Sequence, residues 1–219
     1  MVREMDSQFT LGVTIESMSE QIVAEVAKLH FNAFSGYMNT QLGNSYVTEF
    51  LRWFQKAERA IALVAIDVNG KLIGYVVGAP LGYYRSISRD LIWVTALSII
   101  IRPWLLLSRR LRRACIERLR SLLGYSLVEQ TETNLPRPTM SLVAIGISPA
   151  GRGKGVGLLL MRAFEERARA LNMRSMKLSV YPDNLSARHL YERCGWQPSV
   201  SAIRAKDTMY YFRVLIKDS

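Results

Sequence analysis

The sequence predicts a mixed α/β (α+β) domain: a central sheet flanked by helices, with a helical insertion between strands 3 and 4. Two observations carry this. The hydrophobic periodicity is strand-rich in the first third and becomes β–α–β–α–β after residue 139. Between these parts, 85–138 breaks the pattern with an apolar run that ends in arginines. At 219 residues, 49% of them apolar, the chain can bury a core. We expect one domain over 1–219, with 85–138 inserted in it.

The elements follow in order. Residues 11–18 alternate enough for a first strand. Residues 19–34 have apolar positions at helical spacing, with Ser19 as the expected N-cap. Residues 44–57 form a second helix, with Val47, Phe50, Leu51 and Phe54 on one face. Residues 60–80 are a hairpin, turned by Asn69-Gly70 between two β-branched runs. Strand 139–149, helix 155–172, strand 175–182, helix 184–195 and strand 208–217 complete the pattern.

Charge is local. The formal net charge is +11, and Arg85–Arg120 holds nine arginines against two acidic residues, so +7 of it lies there. The cysteines, Cys115 and Cys194, are far apart, so we expect a reducing, cytoplasmic setting rather than a disulfide framework. The N-terminus has no apolar run of the secretory kind. No His/Cys/Asp cluster suggests a metal.

The chemistry-bearing segment is VAIGISPAGRGKGVGLLLMRAF, an apolar strand, a glycine loop and a helix. Amides at a helix N-terminus converge on one point, the helix dipole adds positive potential, and Arg152 and Lys154 add full charges. Gly153, Gly155 and Gly157 let backbone approach an anion. The expected ligand is a phosphate or pyrophosphate. The loop matches neither the nucleoside-triphosphate nor the dinucleotide signature. A turn that uses glycines only for shape is the plainer alternative.

Arg152-Gly153-Lys154-Gly155-Val156-Gly157 resembles the Arg/Gln-x-x-Gly-x-Gly/Ala motif of the GCN5-related N-acetyltransferase (GNAT) superfamily. Downstream, NLSARHLYERCGW resembles the family's Asn-x-x-Ala-x-x-Leu-Tyr-x-x-x-Gly-Phe, with Trp196 as the final aromatic. The likeness is strong over 139–196, weaker over 11–82, and absent from 85–138. It implies a mostly antiparallel sheet and acetyl-coenzyme A as cosubstrate. The pyrophosphate would lie on the amides of Arg152, Gly153, Lys154, Gly155, Val156 and Gly157. The pantetheine arm would pair with backbone near Ile145 and Ile147. Asn184 would contact the arm or cap its helix, and Tyr191 would protonate the leaving thiolate. Tyr191 also lies on an apolar stripe with Ala187, Leu190 and Cys194, which is what a core face looks like.

The resemblance implies an acetyl transfer to a primary amine by direct attack. No base is evident: His30 is a candidate on a helix that could equally bury it, and His189 is about 160° round its helix from Tyr191. Tyr83, Tyr84, Glu129 and Glu132 flank the insertion and stay open. The acceptor could be an amino sugar linked to nucleotide or lipid, or a protein or peptide amine. A catalytically silent acetyl-CoA-binding module is a further alternative.

Leu91–Leu107 is too interrupted by Arg102 and Pro103 to span a bilayer, where a central arginine costs about 2.5–3.5 kcal/mol. Residues 105–123 suit an amphipathic helix with arginines on one arc. Segment 91–123 therefore predicts contact with an anionic membrane surface, at its inner face, or packing within the chain or in a homodimer, and no nucleic acid.

Overall fold

A computed structural model describes residues 12–34, 38–103, 135–199 and 208–215. The chain forms two compact units: Met1–Met18, Glu58–Leu81 and Asn134–Ser219 in one, Ser19–Ala57 and Gly82–Thr133 in the other.

The first unit holds a seven-stranded sheet in the order β1-β2-β3-β4-β5-β7-β6. Its strands are β1 (Val13–Ser17), β2 (Ile61–Asp67), β3 (Leu72–Pro80), β4 (Thr139–Ile147), β5 (Ser175–Val180), β6 (Gln197–Pro198) and β7 (Met209–Val214). All pairs are antiparallel except β4–β5. The predicted hairpin is β2–β3. Its turn is held by Asp67, whose side chain accepts from the amides of Asn69 and Lys71, while Gly70 takes φ 75°.

Two further helices of this unit, numbered in chain order as α6 (Val156–Ala170) and α7 (Leu185–Arg193), follow β4 and β5. Leu160, Met161, Phe164 and Ala168 of α6 pack on Leu63, Ala65, Val76, Met140 and Met176 to form the core. The packing is close: a Cβ on Gly78 would overlap the Phe164 ring. β6 was not expected. It is two residues long and contains a proline, too short for a period-2 pattern.

The second unit is helical: α1 (Val23–Ala33), α2 (Met38–Gln41), α3 (Asn44–Lys56), α4 (Tyr83–Asp90) and α5 (Ile92–Ile101). Val47, Phe50, Leu51 and Phe54 of α3 are all buried, as their spacing predicts. Ser19 departs from expectation. It precedes a 3₁₀ turn over Glu20–Ile22 and its hydroxyl makes no capping bond, and α1 starts at Val23. Glu20 itself pairs with Arg52 of α3 at 2.6 Å.

Gly82, at φ 92°, turns the chain so that α4 begins at Tyr83. The apolar run from Leu91 gives a helix of ten residues, ended at Arg102. Arg102 donates to the Leu42 carbonyl at 2.9 Å, and its guanidinium lies against Gly43. Among the described residues, no helix is long and apolar enough to cross a membrane. The amphipathic stretch 105–123, with Cys115, and Glu129 and Glu132 lie outside the described residues.

Candidate active site

The site is built where β4 and β5 part. They pair in parallel only at Thr139↔Ser175, Met140↔Met176 and Ser141↔Lys177. On its other edge β4 stays paired with β3 as far as Gly74↔Ile147. The cause lies in β4 itself. Val77 faces Ala144 and Gly78 faces Leu142, so Val143 is an extra residue, a β-bulge. The bulge bends the strand just past the last β5 partner. It also changes which residues face α6: Met140 and Leu142 before it, Ile145 and Ile147 after it. The edge of β4 from Val143 onward carries no β5 ladder.

Sequence reasoning did not find this bulge, although a signal was present. The large apolar residues of MSLVAIGI fall on even positions through Leu142 and odd positions from Ile145. The continuous apolar run hides that phase change.

β4 delivers the chain into the glycine loop. The Ser148 amide donates to the Ile73 carbonyl at 2.9 Å, and a 3₁₀ turn over Pro149–Gly151 follows. Gly151 sits so close to β3 that a Cβ would be 2.9 Å from the Ile73 carbonyl oxygen. Arg152, Gly153 and Lys154 are exposed. Gly153 and Gly155 both take left-handed φ, 73° and 77°. Gly155 caps α6, whose first i→i−4 bond runs from Leu159 to Gly155. The amides of Val156, Gly157 and Leu158 precede that ladder at the positive end of a fifteen-residue helix. The Val156 side chain is fully buried, so only its backbone can face the loop. The Ser148 hydroxyl, at the foot of the loop, is buried with no hydrogen-bond partner among the described residues.

The second predicted signature explains itself structurally. Asn184 is the N-cap of α7, its side chain accepting from the Ala187 amide at 3.2 Å. Gly195, at φ 76°, ends that helix. Asn-x-x-Ala and the later glycine are therefore the delimiters of one helix. Of the two roles expected for Asn184, the cap is the one seen.

Tyr191 points into the core, 5% exposed, with its ring 6.3 Å from that of Trp196 and 5.9 Å from that of Tyr211. Ala187, Leu190 and Cys194 pack beside it, as their shared face predicts, and His189 is exposed. Burial pushes the Cys194 thiol up, which disfavours its thiolate. The Tyr211 hydroxyl donates to Glu192 at 2.7 Å and accepts from Arg188 at 3.3 Å. This tie between β7 and α7 was not foreseen, because Tyr211 lies about twenty residues beyond Arg188 and Glu192 and outside the signature that contains them. Burial raises the Tyr211 pKa, with the Arg188 hydrogen bond opposing.

Gly157 brings the loop, β4 and α7 together. A Cβ there would lie 2.9 Å from Ile147 Cδ1 and 3.1 Å from Leu190 Cδ2. Ile147, Gly157 and the Leu190–Tyr191 turn are thus one locality, with Ile145 one register step back along β4. His30 belongs elsewhere, on α1 of the helical unit. It is 3% exposed, its ring centroid 4.7 Å from Phe34 and 6.1 Å from Phe50. Burial lowers its pKa to about 4, so it is a neutral core histidine rather than a poised base. Tyr83 is buried beside Trp53 and Phe54, and Tyr84 is exposed.

A parted strand pair with a glycine loop and helix N-terminus at its mouth has the geometry that suits a phosphate-bearing ligand with an extended arm. The model of the acetyltransferase (GNAT) family matches residues 28–196. The chain belongs to that family. In structure it is similar to yncA of Salmonella typhimurium, solved with its cofactor acetyl-CoA (14% identity, 95% of this chain and 96% of that one, TM-score 0.58). It is also similar to Ard1 of Thermoplasma volcanium (16% identity, 94% and 99%, TM-score 0.57). A third likeness is to spermidine N-acetyltransferase of Vibrio cholerae, a dodecamer (16% identity, 93% and 94%, TM-score 0.52). At these identities the likeness is one of fold. In sequence, 75 residues are 35% identical to mycothiol acetyltransferase of Gordonia bronchialis, covering 34% of this chain and 23% of that protein.

Proposed function

We propose that the chain is an acetyl-CoA-dependent N-acetyltransferase that acts on a primary amine by direct attack. The observation that supports it most is the edge of β4, freed by the Val143 bulge, running straight into the Arg152–Gly157 loop. Unpaired strand groups suit an amide-bearing arm, and the loop amides suit its pyrophosphate. The residues fit such a ligand. Among the described residues nothing crowds Gly153, and the Ser148 hydroxyl is buried without a partner where the arm would enter the loop. When bound, acetyl-CoA supplies the acetyl group as an activated thioester.

The residues of this chain have separate tasks. Ile145 and Ile147 would present backbone to the arm, and the amides of Gly153–Gly157 would hold the diphosphate, with the side chains of Arg152 and Lys154 adding charge, since the Arg152 amide donates to the Pro149 carbonyl. Asn184 fixes the start of α7 and so the position of Tyr191. The Tyr191 hydroxyl would give its proton to the departing thiolate as the C–S bond breaks, and the proton that the amine nitrogen sheds on forming the amide would restore it. No base is assigned, and an amine of low pKa requires none.

For the acceptor, the +7 carried between Arg85 and Arg120 favours an amine on an anionic carrier, such as an amino sugar linked to nucleotide or lipid. Thiol release from acetyl-CoA over a panel of amino sugars, their nucleotide-linked forms and peptide amines tests this. Faster turnover of the nucleotide-linked forms is expected. Preference for peptides would replace the acceptor assignment, and no turnover with tight coenzyme binding would overturn the enzyme reading.

A further inference from the structure

We infer that the outward face of α5 is a docking surface for an anionic lipid bilayer. At 100° per residue, Ile92, Trp93, Ala96, Leu97, Ile100 and Ile101 fall within one half of the helix. Trp93 is 81% exposed and Ile100 74%, and Ile92, Leu97 and Ile101 are also exposed. The opposite half is the held one: Leu91 and Ser98 are buried, and Val94, Thr95 and Ile99 half-buried. Arg102 fixes the end of α5 to the Leu42 carbonyl.

The chemistry of the helix suits lipid. It carries no charge. Its hydroxyls are satisfied within the helix, Thr95 donating to the Leu91 carbonyl and Ser98 to that of Val94. A contiguous face of this kind, led by an exposed tryptophan, is costly to leave in water. Ten residues reach about 15 Å, half a hydrocarbon core, so the helix lies in the interface plane rather than across it.

Charge selects the occupant. Arg85 and Arg89 are exposed on α4, which leads into α5. In sequence, α5 is followed by Arg109, Arg110, Arg112 and Arg113. A second copy would bring the same +7 segment against itself, a like-charge arrangement. Anionic headgroups around an apolar layer complement both features. This placement does not depend on which amine is acetylated.

The test is flotation of the full chain with vesicles of equimolar phosphatidylglycerol and phosphatidylcholine, against phosphatidylcholine alone. Partition into the anionic vesicles is expected to be at least about tenfold stronger and weakened by half-molar salt. Trp93→Ser with Ile100→Ser should lower it at least about tenfold, because two interface-burying side chains are lost. Both positions are exposed, so circular dichroism should be unchanged. Brominated acyl chains should quench the tryptophan fluorescence of the unaltered chain, a readout that needs no variant. No partition, equal partition into both vesicles, or a double variant that folds and still binds would overturn the inference. So would a dimer without lipid that this double variant makes monomeric, since a second copy would then be the occupant.

Discussion

Gly153→Ala separates the two readings of the glycine loop. Gly153 takes φ 73°, which costs an L-residue about 1–2 kcal/mol. Loss of glycine's freedom in the unfolded chain returns about 0.4–1 kcal/mol. Among the described residues no atom lies within 4 Å of the new Cβ, so they add no clash. The net loss is about 1 kcal/mol, a fall in Tm of roughly 2–4 °C for a chain of this length. Gly70, in the β2–β3 turn, is a matched control. Its φ is 75° and it too has nothing within 4 Å among the described residues. Gly70→Ala should therefore cost the same stability. If the loop serves only for shape, the two variants will look alike throughout. If it cradles a pyrophosphate, the Gly153 methyl stands where the ligand approaches, and affinity for coenzyme A should fall about tenfold or more, ~1.4 kcal/mol, in Gly153→Ala alone. Titration calorimetry with coenzyme A, beside thermal unfolding without it, measures both quantities. Equal affinities in the two variants would refute the phosphate role of the loop.

Three further outcomes are expected. Tyr191→Phe should lower kcat about 10²-fold with coenzyme affinity and Tm nearly unchanged; a fall in Tm with kcat retained would make Tyr191 a core residue only. Stability should drop as pH falls, because burial holds His30 at a pKa of about 4 when folded against the ordinary histidine value of 6.5, so below pH 6.5 the unfolded chain takes up the proton first. Between pH 7 and 5 this amounts to about 2 kcal/mol, seen as a lower urea midpoint and lost from the pH profile of His30→Gln. Gly43→Ala should destabilise by about 2–3 kcal/mol, since φ 96° and the Arg102 guanidinium both oppose a Cβ; Gly43→Ala with Arg102→Ala should recover part of that, measured by denaturant unfolding.

Most of the fold was legible because its signals are local. Asn69-Gly70, the buried face of α3 and the long apolar stripe of α6 each occupy a few turns of chain, and each stands where its periodicity puts it. The motif residues were legible in the same way, yet their physical duties were not all legible. Asn184 reads in sequence as an arm contact or a helix cap, and the structure supplies the cap, with Gly195 closing the same helix. Arg102 reads as an interruption of an apolar run, and only the fold reveals the carbonyl of Leu42, sixty residues earlier, that it holds. His30 could not be assigned from its helix alone, because its burial depends on Phe50 of another helix.

The parting of β4 from β5 joins these threads, because one residue produces it. Val143 has no cross-strand position of its own on β3. The same residues from Thr139 to Ile147 paired with β3 without a bulge would keep a single phase. Either Met140 and Leu142 or Ile145 and Ile147 would then leave the α6 side, since a one-residue slip inverts a strand. Met140 is fully buried, so the first choice empties part of the core, and the second withdraws Ile147 from Gly157. The sequence places its large residues for both phases at once, so the bulge is specified by the core and not by the ligand. The free edge is a consequence: a strand bent at Val143 cannot follow β5 beyond Ser141. Unpaired edges invite other strands and are normally blunted by charge or proline. Here the edge is apolar, Val143-Ala144-Ile145-Gly146-Ile147, and an extended ligand arm is the partner that would satisfy its backbone without adding a strand.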